Sequence, residues 1–246
     1  MTINQLADLS PAEIKVRRGV TKSALHAVFR NMRRTAGPER VGDLPVECDW
    51  RDKGIITPIK DQGQCGSCWA FAATECLESH LARATNTTRA LSVQQMVSCT
   101  QNPQGCGGNG GCAGATTEIG FDYVAHSAGV ASDDAWPYTS GETKEDGQCF
   151  GNFTAVAKFT GFVKLPENNL TAVMGALATL GPLAVVVDAS SWIFYAAGIA
   201  RPNSWATVDL DHGVQLVGYG TQDGMVNPLR TLPDSAAPPV FPWLYA

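Results

Sequence analysis

The stretch Gln62-Gly63-Gln64-Cys65-Gly66-Ser67-Cys68-Trp69-Ala70-Phe71 decides the reading of this chain. Residues 62–67 form a glycine-containing turn, and an amphipathic helix follows over 69–84. Trp69, Ala72, Ala73, Cys76, Leu77 and Leu81 recur at helical spacing there. Glu75, Glu78 and Arg83 fall on the other faces, and His80 is expected on the exposed part of the helix. Cys68 therefore stands at a helix N-terminus, where the dipole and unpaired backbone N–H groups favour a thiolate. Gln62, six residues upstream, can be turned back so that its amide and the Cys68 N–H make a two-donor oxyanion site.

Other readings of Cys65-x-x-Cys68 fit less well. A thioredoxin-type redox pair needs a preceding strand, and residues 55–60 contain Pro58. A zinc site needs a second pair at ligand spacing, which Cys99, Cys106 and Cys112 do not provide. Gly105-x-Gly107-x-x-Gly110 matches a dinucleotide fingerprint in form, but no strand precedes it and cysteines flank it. Neither a metal nor a cofactor is implied.

A cysteine nucleophile needs a base. Of His26, His80, His126 and His212, the last stands in Asp209-Leu210-Asp211-His212-Gly213, directly before an apolar run. It lies 144 residues after Cys68, within the window of about 130–150 seen in papain-like enzymes. The sequence resembles the papain/cathepsin family of cysteine proteases. The shared motifs are Leu44-Pro45…Asp49-Trp50-Arg51, Gln62…Cys68-Trp69-Ala70-Phe71, Cys106…Gly110-Gly111, Gly181-Pro182-Leu183 and Asp211-His212-Gly213…Val217-Gly218-Tyr219-Gly220.

The resemblance implies an α+β, two-subdomain fold, with a helical half and a barrel-like β half that is expected to be incomplete. It implies a cysteine peptidase with Cys68 as nucleophile, His212 as base and Gln62 as oxyanion donor. Gly110, Gly111 and Asp211 are implied at the substrate, and Cys65–Cys106 and Cys99–Cys149 as disulfides, with Cys48, Cys76 and Cys112 left unassigned. The loop carrying the glycines is two residues longer than the common family form. Protein or peptide substrates and a monomer are expected, with no nucleic-acid or membrane partner.

A basic arm on an acidic body can bind an external polyanion or lie on the body itself, and the family resemblance implies the second, as an inhibitory prosegment. Residues 1–43 carry eight Lys/Arg and four Asp/Glu, a net +4, on a body of net −9. Thr2, Asn4, Leu6 and Asp8 stand at the spacing of the family's prosegment motif. Residues 1–43 are thus expected to be a partial inhibitory prosegment lying on the acidic body. Residues 44–220 are expected to form the peptidase domain, with 44–164 mainly helical and 165–220 the β half. Strand-like runs cover 155–162, 183–188 and 214–218.

Residues 221–246 hold five prolines and read as an irregular tail without family resemblance. The family's Asn-Ser-Trp-Gly motif does not follow His212; Asn203-Ser204-Trp205 precedes it and lacks the glycine. A chain truncated at both ends is the expectation. It leaves a second reading open, a catalytically impaired or dead papain-like binding or inhibitory protein. A disulfide-braced structural domain is a third. Eight cysteines and the sequons at Asn86, Asn152 and Asn169 point to a secreted, lysosome-like or vacuolar route, although no signal peptide opens the chain.

Overall fold

Helix α1 spans Cys68–Thr85 and runs through the middle of the molecule. In this computed structural model the described residues are 10, 19, 44–190, 192, 208–222 and 225–232. The expected prosegment, apart from Ser10 and Gly19, and Asn203-Ser204-Trp205 lie outside them. The first three turns of α1 are buried on nearly every side, which is how a helix between two packed layers behaves. It ends at Asn86, held at φ 55°, a left-handed cap suited to asparagine.

On one side of α1 lies the helical half. It contains α2 (Val93–Cys99), α3 (Thr117–His126) and the single turn α4 (Ser140–Thr143). Ser92 caps α2 by accepting from the Gln95 N–H at 3.0 Å. The core here joins Trp69, Phe71 and Leu77 of α1 to Leu91, Met96, Val97 and Val124. The expected strand at 155–162 is not formed: residues there make only an isolated bridge, Val130 to Ala157. A single bridge satisfies few backbone groups, and the segment lacks a neighbouring strand to continue the ladder.

On the other side lies the β half. Helix α5 (Leu170–Leu180) is capped by Asn169, which accepts from Ala172 N–H at 2.9 Å. Strand β1 is Cys48–Asp49, β2 Leu183–Val187, β3 His212–Gln222 and β4 Met225–Leu232. All three partners of β3 are antiparallel to it. Leu216 pairs with both Leu183 and Thr231, and Gly218 with both Asp49 and Arg230. Strands β1 and β2 therefore share one edge of β3 and β4 takes the other. The core beneath contains Val173, Leu177, Val185, Val187, Val214, Leu216 and Tyr219. Cys48 and Trp50 pack on this same core, so the N-terminal strand belongs to the β half although the sequence around it belongs to the helical one.

Strands β3 and β4 correct the irregular-tail expectation for 221–222 and 225–232, while 233–246 lie outside the described residues. The Asp223-Gly224 pair between β3 and β4 is a hairpin signal that the prolines obscured. Pro228 falls where the register shifts between Gly218/Arg230 and Gly220/Asn227, a bulge that tolerates a residue without an N–H.

Candidate active site

Cys68 is the first residue of α1 and is almost wholly buried. The loop before it is fixed from several directions. Gly66 N–H donates to the Cys112 carbonyl at 3.0 Å, and the Cys65–Cys112 disulfide closes beside that bond. Trp69 Nε1 donates to the Gly111 carbonyl at 3.1 Å. Gln62 is 1% exposed, and its Nε2 donates to the Cys65 carbonyl at 2.8 Å, which holds the amide against the same loop.

His212 opens β3 and is buried at 6% exposure. Its ring meets Trp192 edge-on, with centroids 5.6 Å apart and planes at 86°. The strand reaches Cys68 because it packs directly on α1. A Cβ placed on Gly213 would lie 3.3 Å from both the Cys68 carbonyl oxygen and Trp69 Cα, so glycine permits this approach. Further along, Gln215 Nε2 donates to the Glu75 carbonyl and to Ser79 Oγ, both at 2.8 Å. The Asp211 carboxylate accepts from the Ala189 N–H at 3.1 Å and ties the residue before His212 to the end of β2.

Gly19 occupies the same place from upstream. A Cβ on it would lie 3.2 Å from Cys68 Sγ and would overlap the Gly66 carbonyl. A Cβ on Gly114 would in turn overlap the Gly19 carbonyl. The Gly19 backbone thus lies between Gly66 and Gly114, close to the thiol. Among the described residues, no group of three or more His, Cys, Asp or Glu is arranged to hold a metal.

With this geometry in view, the family profile described as "Papain family cysteine protease" matches residues 44–228. The chain belongs to the papain family of cysteine proteases. It is 43% identical to procathepsin L of Rattus norvegicus over 180 residues, covering 72% of this chain and 51% of that protein. It is 39% identical to cathepsin K of Gallus gallus over 231 residues, 91% of this chain and 65% of the relative. The chain thus spans about half the length of the mammalian cathepsins it matches. Among solved structures, digestive procathepsin L2 proteinase from Tenebrio molitor larval midgut superposes with a TM-score of 0.78 at 30% identity, covering 94% of this chain and 72% of that one.

The papain-family resemblance placed some residues well and others not. Cys99–Cys149 is bridged. The implied Cys65–Cys106 bridge is not: Cys65 pairs with Cys112, at a Cα–Cα distance of 4.6 Å, and Cys106 is a buried free thiol. The reason is local. Asn102 wraps Cys106 into a turn, accepting from its N–H at 2.8 Å and donating to its carbonyl at 3.1 Å. Cys112 meanwhile is drawn to Gly66. Burial pushes the Cys106 thiol above its ordinary range.

That change of partner also shifts the glycines. Gly110 packs on Asn102, and a Cβ on Gly111 would collide with the Asp146 carboxylate. The glycine that faces Gly19 is Gly114, two residues after the bridging cysteine. The Cys112-x-Gly114 spacing is the signal that could have found it.

Trp192 was missed as well, since nothing local links it to His212. Asn86, Asn152 and Asn169 are all exposed. His80, expected at the surface, is half-buried and donates from Nε2 to the Pro182 carbonyl at 2.9 Å. Glu78, assigned to another face, is fully buried and receives Lys60 Nζ at 2.7 Å and the Leu91 N–H at 2.7 Å.

Proposed function

We propose that this chain hydrolyses peptide bonds, with Cys68 as nucleophile and His212 as its base. The observation that carries the reading is the packing of the His212-Gly213 strand end onto the Cys68-Trp69 helix start, with Gln62 buried on the same loop. His212 takes the thiol proton as Sγ attacks the substrate carbonyl carbon. The Gln62 amide and the Cys68 N–H stabilise the developing oxyanion. His212 then passes the proton to the leaving amine, which departs and leaves a thioester. Water, deprotonated by His212, attacks that thioester and releases the acid and the thiol. Trp192 flanks the imidazole edge-on and restricts its rotation. Gly114 takes the substrate-backbone role, and Asp211 supports the loop that presents His212.

Residues 1–43 act as an intramolecular inhibitor in this reading, because the buried Gly19 backbone lies where a substrate backbone would run past the thiol. Two disulfides suit folding in an oxidising compartment, and we assign the protein to the secretory or lysosome-like route as a monomer acting on proteins or peptides.

The test is labelling by a thiol-directed peptidyl epoxide, read by mass spectrometry of intact protein and of peptides. Once limited proteolysis has removed residues 1–43 from the folded chain, labelling is expected at Cys68, absent in Cys68→Ala and slowed about a hundredfold or more in His212→Ala, as removal of a general base does. Labelling of Cys68 no faster than of the half-buried Cys48 would sink the proposal.

A further inference from the structure

The hydroxyl of Tyr138 bridges Gln62 and Ser67, the residue before Cys68. It donates to the Gln62 carbonyl at 2.8 Å and lies 2.7 Å from Ser67 Oγ. A phenol carries one hydroxyl hydrogen and a carbonyl only accepts, so Ser67 is the donor in the second bond.

Ser67 is the N-cap of α1. Such a serine ordinarily turns its oxygen back to accept an N–H of the helix's first turn. Here it makes no side-chain cap bond, and the Ala70 and Phe71 N–H groups go to its carbonyl instead. Tyr138 has drawn the hydroxyl away, so the Ser67 side chain does not compete for the N–H groups at the helix start.

The phenol is itself held in place. Phe71 packs against its ring edge-on, with centroids 4.9 Å apart. The backbone beside it is clasped to the oxyanion loop, where Gln64 N–H donates to the Gly141 carbonyl at 2.8 Å. Gly63, at φ 60°, lies so close to Gly141 that a Cβ would come within 2.7 Å of its Cα. Burial, the largest influence, keeps the phenol protonated well above neutral pH, so its hydrogen remains available to Gln62.

We propose that Tyr138 is a positioning residue: it sets the separation between Gln62 and Ser67, so that the Gln62 amide and the Cys68 N–H converge on one oxygen. This rests on the peptidase reading above.

Two reagents separate this role from general support of the fold. Iodoacetamide alkylates the thiolate by direct displacement of iodide and needs no oxyanion donor. A peptide aldehyde adds the thiol across its carbonyl and places the resulting oxygen between the donors. In the full chain folded and then trimmed of residues 1–43 by limited proteolysis, Tyr138→Phe is expected to weaken aldehyde inhibition and lower kcat about tenfold with KM unchanged, while alkylation of Cys68 stays within about twofold. Ser67→Ala is expected to weaken the aldehyde about threefold, and Ser67→Thr to restore it. Should Tyr138→Phe fail to fold, the Ser67 pair decides alone.

Equal losses towards both reagents, or no loss towards the aldehyde, would overturn the inference. A wild-type chain that stays inert to both reagents after limited proteolysis has removed residues 1–43 overturns the peptidase reading and this inference with it. A reactive wild type with indistinguishable variants overturns the inference alone.

Discussion

The two halves of this molecule are held together by different physics, and each carries one member of the proposed catalytic pair. The helical half is rich in loops, and polar side chains clamp them. Gln94 donates to Ser140 Oγ at 2.8 Å and to the Asp146 carbonyl at 3.0 Å, while Gln95 donates to the Gly129 carbonyl and accepts from Ala131 N–H. Among the described residues, both disulfides lie there. The β half depends chiefly on the β3 ladder and an apolar cluster. Cys68 is thus fixed by covalent and polar bracing, whereas His212 is fixed by how a strand packs on a helix. An error in the first half misplaces the Cys68 loop; an error in the second misplaces His212.

The largest expected effect comes from breaking the polar side of this comparison. Glu78 accepts from Lys60 Nζ, the Leu91 N–H and the Thr57 hydroxyl with no exposure of its own. Glu78→Ala leaves a half-buried ammonium and a buried N–H without their acceptor. The expected cost is about 3–5 kcal/mol, read as a shift in the denaturant midpoint. A cost below about 1 kcal/mol would mean that the clamp is dispensable and that the helical half is held by its apolar core.

How far the sequence reveals this depends on the range of the interaction. Helix α1 and strands β2 and β3 were legible because their patterns are local: helical spacing from Trp69 to Leu81 and apolar runs bounded by glycine, proline and aspartate. Glu78 was not, because a helical wheel places it on a face without saying that Lys60 and Leu91 N–H will meet that face. The Cys65–Cys112 bridge was misassigned for the same reason: spacing alone cannot tell which of two cysteines in one glycine loop Asn102 will turn away. Cys68, Gln62 and His212 stand out by motif, whereas the positions of Gly114, Trp192 and Tyr138 depend on contacts made across the chain. Helix α5 was hidden in the uncharged run 174–187, where helix and strand follow one another without a polar break.

The apolar side breaks differently. Leu216 is fully buried at the centre of β3, paired to Leu183 on one edge and Thr231 on the other. Leu216→Ala is expected to cost about 2–5 kcal/mol through lost burial and an unfilled cavity. The sharper readout is hydrogen exchange. If the halves open separately, amides of β2 and β3 lose protection while those of α2 and α3 keep theirs, and epoxide labelling of Cys68 slows because His212 is displaced. Uniform loss across both halves would instead make the molecule one cooperative unit.

The smallest effect tests the seam. His80 and Arg83 project from the end of α1 onto the other half, His80 to the Pro182 carbonyl and Arg83 to the carbonyls of Thr179 and Leu180. Burial, and secondarily the Arg83 charge, lower the His80 pKa, while the bond to Pro182 acts in the opposite sense. A histidine whose folded pKa lies below its unfolded value binds fewer protons folded than unfolded in the interval between the two. Its contribution is therefore intact above an unfolded pKa of about 6.5 and is lost as pH falls from there through the lowered folded value. His80→Gln keeps a donor of similar reach for Pro182 but cannot titrate. The variant is expected to lose less stability than wild type between pH 7 and 5, by no more than about 1 kcal/mol in thermal unfolding. Parallel curves for the two proteins would remove His80 as an acid-sensitive contact between the halves. The half-buried Asp133 could not stand in for it. Its pKa is raised by burial, so protonation there favours the folded state, and its sign is the reverse of that of His80.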